Sequence, residues 1–137
     1  MTCTFFGHAN APIEIREQLK ETIIKLITER ATDRFYVGNH GNFDKMVLSV
    51  LKEISTAYPQ IDYGVVYAYL PKECDFVHTV YPEGIETVPK RFAIEFRNKW
   101  MIKQSDIVVT YIQHSFGGAA KFRDIAEKQG KEIFNIK

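Results

Sequence analysis

The sequence predicts a three-layer α/β fold with a mainly parallel sheet of about five strands. Short apolar runs alternate with stretches of helical period along most of the chain. Two of the runs, "DYGVVYAYL" and "DIVVTYI", are apolar at nearly every position, the pattern of strands covered on both faces. Three runs end in glycine-bearing turns, and a parallel crossover needs an intervening helix that packs right-handed.

The elements follow in order. "CTFF", from Cys3 to Phe6, is a strand stopped by Gly7. "IEIREQLKETIIKLITER" then sets Leu19, Ile23, Leu26 and Ile27 on one helical face. "RFYV" is the second strand and ends at Gly38. From Phe43 the positions Met46, Val47, Val50, Leu51, Ile54 and Tyr58 keep helical spacing until Pro59 stops them. Asp62 to Leu70 reads as a third strand closed by Pro71. From Pro71 to Lys90 three prolines and no sustained period predict a long loop, of the kind used as lids or mobile segments. "RFAIEFRNKWMIKQ" reads as a helix, Asp106 to Ile112 as the fourth strand, "GGAAKFRDIAEKQG" as a helix ending near Gly130, and "KEIFNI" as the last strand.

Length and charge narrow the function. At 137 residues the chain is expected to form a single domain, residues 1–137, with a core that needs no disulfide or structural metal. A formal charge of +1, from 18 basic and 17 acidic residues, gives no global field for nucleic acid or an anionic membrane, so neither partner is expected. No stretch approaches the length of a membrane span, and the start lacks a basic segment ahead of an apolar run, which points to a cytoplasmic protein. Cys3 and Cys74 match no metal-ligand or redox spacing and are expected as reduced thiols. The residues call for no cofactor.

In an open parallel sheet, ligands bind outside the carboxyl ends of the strands, where each strand turns into a helix N-terminus. The glycine turns "GHAN", "GNHGNFD" and "QHSFGGA" fall at these places. Glycine opens backbone paths closed to other residues, and a helix N-terminus favours an anion, so a phosphate is the natural occupant. Neither the G-x-G-x-x-G fingerprint nor a P-loop is present, which excludes an ordinary dehydrogenase or nucleoside triphosphatase.

Arg97 shares a helical face with Ile94 and Met101, so its guanidinium stands in an apolar stripe and needs a partner. That partner is either an anionic ligand or an internal carboxylate such as Asp106 or Asp124. Phe92, Phe96 and Trp100 form the adjoining stripe, read as core or as a dimer surface. Asp44, at the start of the second helix, either complements the helix dipole or accepts ribose hydroxyls. His8, His40 and His114 each follow a strand; lacking acidic or thiol ligands at fixed spacing, they are not read as a metal site, although His8 or His114 is expected to touch a ligand.

The segments "GHANAP", "VGNHGNFD" and "RNKWMIKQSDIVVTYIQHSFGGAAKF" resemble the SLOG superfamily, the Rossmann-like group that contains the LOG cytokinin-activating phosphoribohydrolases, the DNA-processing Smf proteins and many small bacterial and phage proteins. The resemblance spans nearly the whole chain. LOG enzymes carry an Arg-Lys-x-x-Met helix, a strand, and Pro-Gly-Gly-x-Gly-Thr-x-x-Glu. On this sequence their arginine and methionine fall on Arg97 and Met101, and their first two glycines on Gly117 and Gly118. Their third glycine becomes Ala120, their threonine Lys121 and their glutamate Asp124. The resemblance implies a nucleotide or ADP-ribose-like ligand, held by a sensor or sequestering module. Its alternative is LOG-type hydrolysis of a nucleoside monophosphate between base and ribose 5-phosphate, with Arg97 and Asp124 as the catalytic pair. A DNA-processing accessory role is the third reading. The ligand-binding residues are expected to be Gly7, His8, Gly38, Asn39, Gly41, Asp44, Arg97, His114, Ser115, Gly117, Gly118, Ala119 and Lys121, in a chain that forms a homodimer.

Overall fold

The computed structural model describes residues 1–69 and 78–137. The strands are β1 (Thr2–Gly7), β2 (Arg34–Val37), β3 (Asp62–Val66), β4 (Thr79–Val80), β5 (Ile107–Tyr111) and β6 (Glu132–Asn135). The helices are α1 (Arg16–Arg30), α2 (Gly41–Ala57), α3 (Ala93–Gln104) and α4 (Gly118–Lys128), with single 3-10 turns at Ile13–Ile15, Ile85–Thr87 and Lys90–Phe92. Every pairing in the sheet is parallel, and the strand order is β4-β3-β2-β1-β5-β6. The fold is a three-layer, Rossmann-like α/β fold.

Alternation along the strands makes the layers. In β1, Phe5 points to the side covered by α1 and α2, where it joins Leu19, Ile23, Phe43, Val47 and Leu51. Its neighbour Phe6 points the other way, to Met101 and Ile102 of α3 and Phe122 and Ala126 of α4. The helical face expected on α1 is buried at Leu19, Ile23, Leu26 and Ile27. That on α2 is buried from Phe43 to Ile54.

The sheet runs in opposite directions from β1: one succession leads through β2 and β3 to β4, the other through β5 to β6. The carboxyl ends of β1 and β5 therefore flank a switch point, where an open α/β sheet leaves a crevice. Hydrogen bonds tie the crevice floor together, from the His8 N–H to the Tyr111 carbonyl at 3.3 Å and from the Asn42 N–H to the Ala9 carbonyl at 2.8 Å.

Two expectations are corrected. The third strand leaves the sheet after Val66 instead of running to Leu70, because its edge partner is only the two-residue β4. The stretch expected as loop contains that strand, since Val80 supplies one more apolar contact on the α3 side and the His78 carbonyl accepts from the Val65 N–H at 2.6 Å. A two-residue strand has no period to read. Residues 71–77 of that expected loop, with Cys74, and Leu70 of the expected third strand lie outside the described residues. Cys3 is a free, fully buried thiol, and burial pushes its pKa well up, so it is inert.

Candidate functional site

The turn after β2 shows why this chain places Gly38, Asn39, His40 and Gly41 together. A Cβ on Gly38 would lie 2.9 Å from Asp44 Oδ2 and 3.2 Å from Arg97 Cζ, so glycine lets an acid and a guanidinium close on the backbone. Gly41 has φ +88°, and a side chain there would strike Ala9 at 2.7 Å, so only glycine starts α2 in this position. Between them, Asn39 Oδ1 accepts from Arg97 Nη1 at 2.8 Å. The His40 N–H donates to Asp44 Oδ2 at 3.0 Å, which ties the residue before α2 to an acid in its first turn.

Arg97 is 3 % exposed. Its Nε donates to Asn98 Oδ1 at 3.0 Å. Asp106 accepts instead from the Thr2 N–H, and Asp124 pairs with Arg123, so neither carboxylate named from sequence reaches the guanidinium. Burial pulls the Arg97 pKa down, opposed by the charges of Asp44 and Tyr69. Asp44 is half-buried, and burial raises its carboxyl to about 6 against the His40 N–H and Arg97, which lower it. A cation and a carboxyl that titrates near neutrality thus share one place.

That place is a cleft of about 170 Å³. Phe5, Phe6, Met101 and Phe122 make its apolar floor; Gly7, His40, Asp44, Arg97, Asn98, Gly118 and Ala119 make its wall. It is smaller than a typical ligand pocket and matches a small charged group. Gly7 shapes it by close packing, because a Cβ there would lie 2.4 Å from the Phe43 ring. Gly118 opens α4 with nothing within 4 Å of the position a Cβ would take.

The remaining expected residues divide around the first turn of α4. Gly118, Ala119 and Phe122 face the Arg97 cleft, while Ser115, Gly117, Lys121 and Asp124 border a second cleft of about 420 Å³ on the other side. Asp124, with 54 % of its side chain exposed, is therefore not brought together with Arg97. Lys121 is engaged by Glu95 at 2.7 Å. His8 and His114 stack at 4.1 Å, and His8 Nε2 accepts from the Gln113 N–H at 2.9 Å. Among the described residues no group of three or more His, Cys, Asp or Glu gathers as metal ligands.

The chain has the fold of half of a DNA processing protein A. That crystal structure, DprA from Streptococcus pneumoniae, superposes with a TM-score of 0.69 at 12% identity. The match covers 98% of this chain and 49% of that chain, so this chain spans about half the length of its structural neighbour. At this identity the likeness shows the fold alone. No family model matches the sequence, and neither does any curated protein.

Sequence reasoning missed Asn98 and erred at one position of the α3 stripe. Arg97 and Met101 are buried as expected, together with Ala93, Asn98 and Ile102, whereas Ile94 lines the cleft and is 37 % exposed. Asn98 had a signal, being a polar residue four positions before buried Ile102. His40 lines the cleft without joining the other histidines. Of the stripe Phe92, Phe96 and Trp100, Phe92 is exposed and Phe96 half-buried, while half-buried Trp100 packs against the α3–α4 side of the core with its ring edge-on to Tyr36 at 5.1 Å.

Proposed function

We propose that the chain binds a nucleotide or ADP-ribose-like phosphorylated ligand at the carboxyl edge of its sheet, as a sensor or sequestering module. Buried Arg97 carries this reading. Asn39 and Asn98 hold its guanidinium at the wall of the cleft, and an anion arriving there replaces the solvation lost on burial with charge-assisted hydrogen bonds. The first amides of α4 at Gly118 and Ala119 line the same cleft, where the helix dipole favours negative charge. Asp44 lines the same cleft as an acceptor for ribose hydroxyls, with Asn39 next to it on Arg97.

The test is a thermal-shift panel of nucleotides, nucleoside monophosphates, ADP-ribose and cyclic derivatives, followed by calorimetry. A ligand at 100 times its dissociation constant raises stability by about 2.7 kcal/mol. Gly118→Asp puts a carboxylate into space that is free in the fold, so it should unfold like wild type and lose binding. A flat panel, or a Gly118→Asp variant that binds as wild type does, overturns the reading.

A specific observation supports the hydrolase alternative in altered form. Asp44, raised to about 6, shares the cleft with Arg97, so a nucleoside monophosphate bound there would meet an acid–base group in Asp44 instead of Asp124. The structural neighbour is a DNA processing protein, which is the support for the third reading. The charge of +1 weighs against it. A cytoplasmic homodimer, joined through Phe92, Phe96 and Trp100, completes the proposal.

A further inference from the structure

The His8–His114 pair is part of a longer column of rings. Tyr111, at the end of β5, meets His8 edge-on at 5.9 Å. His8 stacks on His114 at 4.1 Å and 18°, and His114 stacks on Phe116 at 4.0 Å and 19°. Hydrogen bonds fix both imidazoles, since His8 Nε2 accepts from the Gln113 N–H and His114 Nδ1–H donates to the Phe116 carbonyl at 2.9 Å. The column ends in Phe116, which is 70 % exposed. A phenyl ring at the end of a stack, with its side chain in water, presents a platform suited to one more flat ring.

The surroundings favour an anionic occupant of nucleotide size. The cleft beside Phe116 has a volume of about 420 Å³, within the range of small-molecule sites. Lys128 borders it together with Lys121, whose ammonium is shared with Glu95, and its carboxylate, Asp124, is paired with Arg123. It adjoins the Arg97 cleft where Gly117 meets Gly118, residues whose Cα atoms are about 3.8 Å apart across their peptide bond. Gly117, at φ +93°, makes the corner between the two. Gly118 and Phe116 are two residues apart in the chain, so a phosphate at the one lies near the ring of the other.

We propose that Phe116, backed by the His114–His8 stack, is the platform on which the heterocyclic base of the ligand lies. The inference rests on the nucleotide reading of the adjoining cleft and deepens it: the ligand is a nucleotide with an unshielded, flat base. Because every base has a π-face, the platform is tolerant of base identity.

Calorimetry on the full chain with ribose 5-phosphate and with adenosine monophosphate separates the two ideas. Wild type should bind the nucleotide more tightly than the sugar phosphate. Phe116→Ala should weaken the nucleotide by about 5- to 150-fold, the range of base stacking on an aromatic ring, and leave ribose 5-phosphate unchanged. Phe116→Trp should retain or strengthen nucleotide binding. Equal affinities for both probes in wild type, with no effect of Phe116→Ala, remove the platform and leave the phosphate cleft standing. Loss of both probes together in Phe116→Ala also overturns it, since the ring then acts by shaping the Gly117–Gly118 turn. If wild type binds neither probe, the nucleotide reading falls and takes the platform with it. A Phe116→Ala variant that loses self-association in light scattering but keeps its nucleotide affinity assigns the ring to a subunit contact and overturns the proposal.

Discussion

At the scale of the residue, Asp44 and Arg97 set the chemistry, and both are tuned by burial. The Asp44 carboxyl titrates at about 6 in the fold, above its ordinary value of 3.8. The folded state therefore holds this proton more tightly than the unfolded chain. Ionised Asp44 costs stability, fully above pH 6, and the cost disappears as pH falls through 6 toward 4. Asp44→Asn, which keeps an acceptor for the His40 N–H, should be more stable than wild type at pH 7 by about 2 kcal/mol, after allowance for the part that water reaches. Urea unfolding at pH 7 and pH 4 checks this, with the difference vanishing at the lower value. The same proton governs anions, because neutral Asp44 leaves Arg97 the uncontested charge of the cleft. Affinity for ADP-ribose, whose pyrophosphate keeps its charge over this range, should rise from pH 7.5 to pH 5.5 in wild type and stay flat in Asp44→Asn.

At the scale of the element, α4 divides the site. Its apolar residues Ala120, Phe122 and Ala126 must face the sheet, and this fixes the rotation of every other position. Lys121 and Asp124 are thereby carried to the side away from Arg97. Asp124→Asn is expected to leave any release of free base from a nucleoside monophosphate unchanged. Asp44→Asn should abolish it while binding persists. Chromatography of the reaction mixture decides between them, and loss of release in Asp124→Asn alone would restore the pair taken from the LOG resemblance. On α3 the buried face takes in Ala93, Asn98 and Ile102 beside the expected Arg97 and Met101, and Ile94 falls at its edge.

At the scale of the whole molecule, the reversal of strand order at β1 gathers turns from distant parts of the sequence into one crevice. Gly7, Gly38 and Gly118 come from the turns after the first, second and fifth strands. β1 and β5 are hydrogen-bonded on both sides and covered on both faces, so their amides should exchange slowest, and those of the edge strand β6 faster. Hydrogen exchange at a fixed pH tests this; equal protection in β6 would contradict it. The face of α3 bearing Phe92, Phe96 and Trp100 should mediate self-association. Static light scattering at micromolar concentration is expected to give a dimer for wild type and a monomer for Trp100→Glu.

The sequence by itself determined the layer order, the parallel sheet and the places where glycine turns meet helix N-termini, because these depend on local period and on turn residues that few alternatives satisfy. It named Arg97, Asn39, Asp44 and Gly118 for the same reason: a charge in an apolar stripe and a glycine at a helix start are visible without coordinates. Three features were decided only by the tertiary structure: that Asn39 and Asn98 grip Arg97, that Asp44 and not Asp124 shares its cleft, and that His8, His114 and Phe116 stack into one column. Each depends on how far a helix is rotated about its axis or how a turn is folded. Those angles are set by side chains such as Phe43 on Gly7 and Phe122 on Phe6, contacts between residues far apart in the chain whose fit no local pattern records.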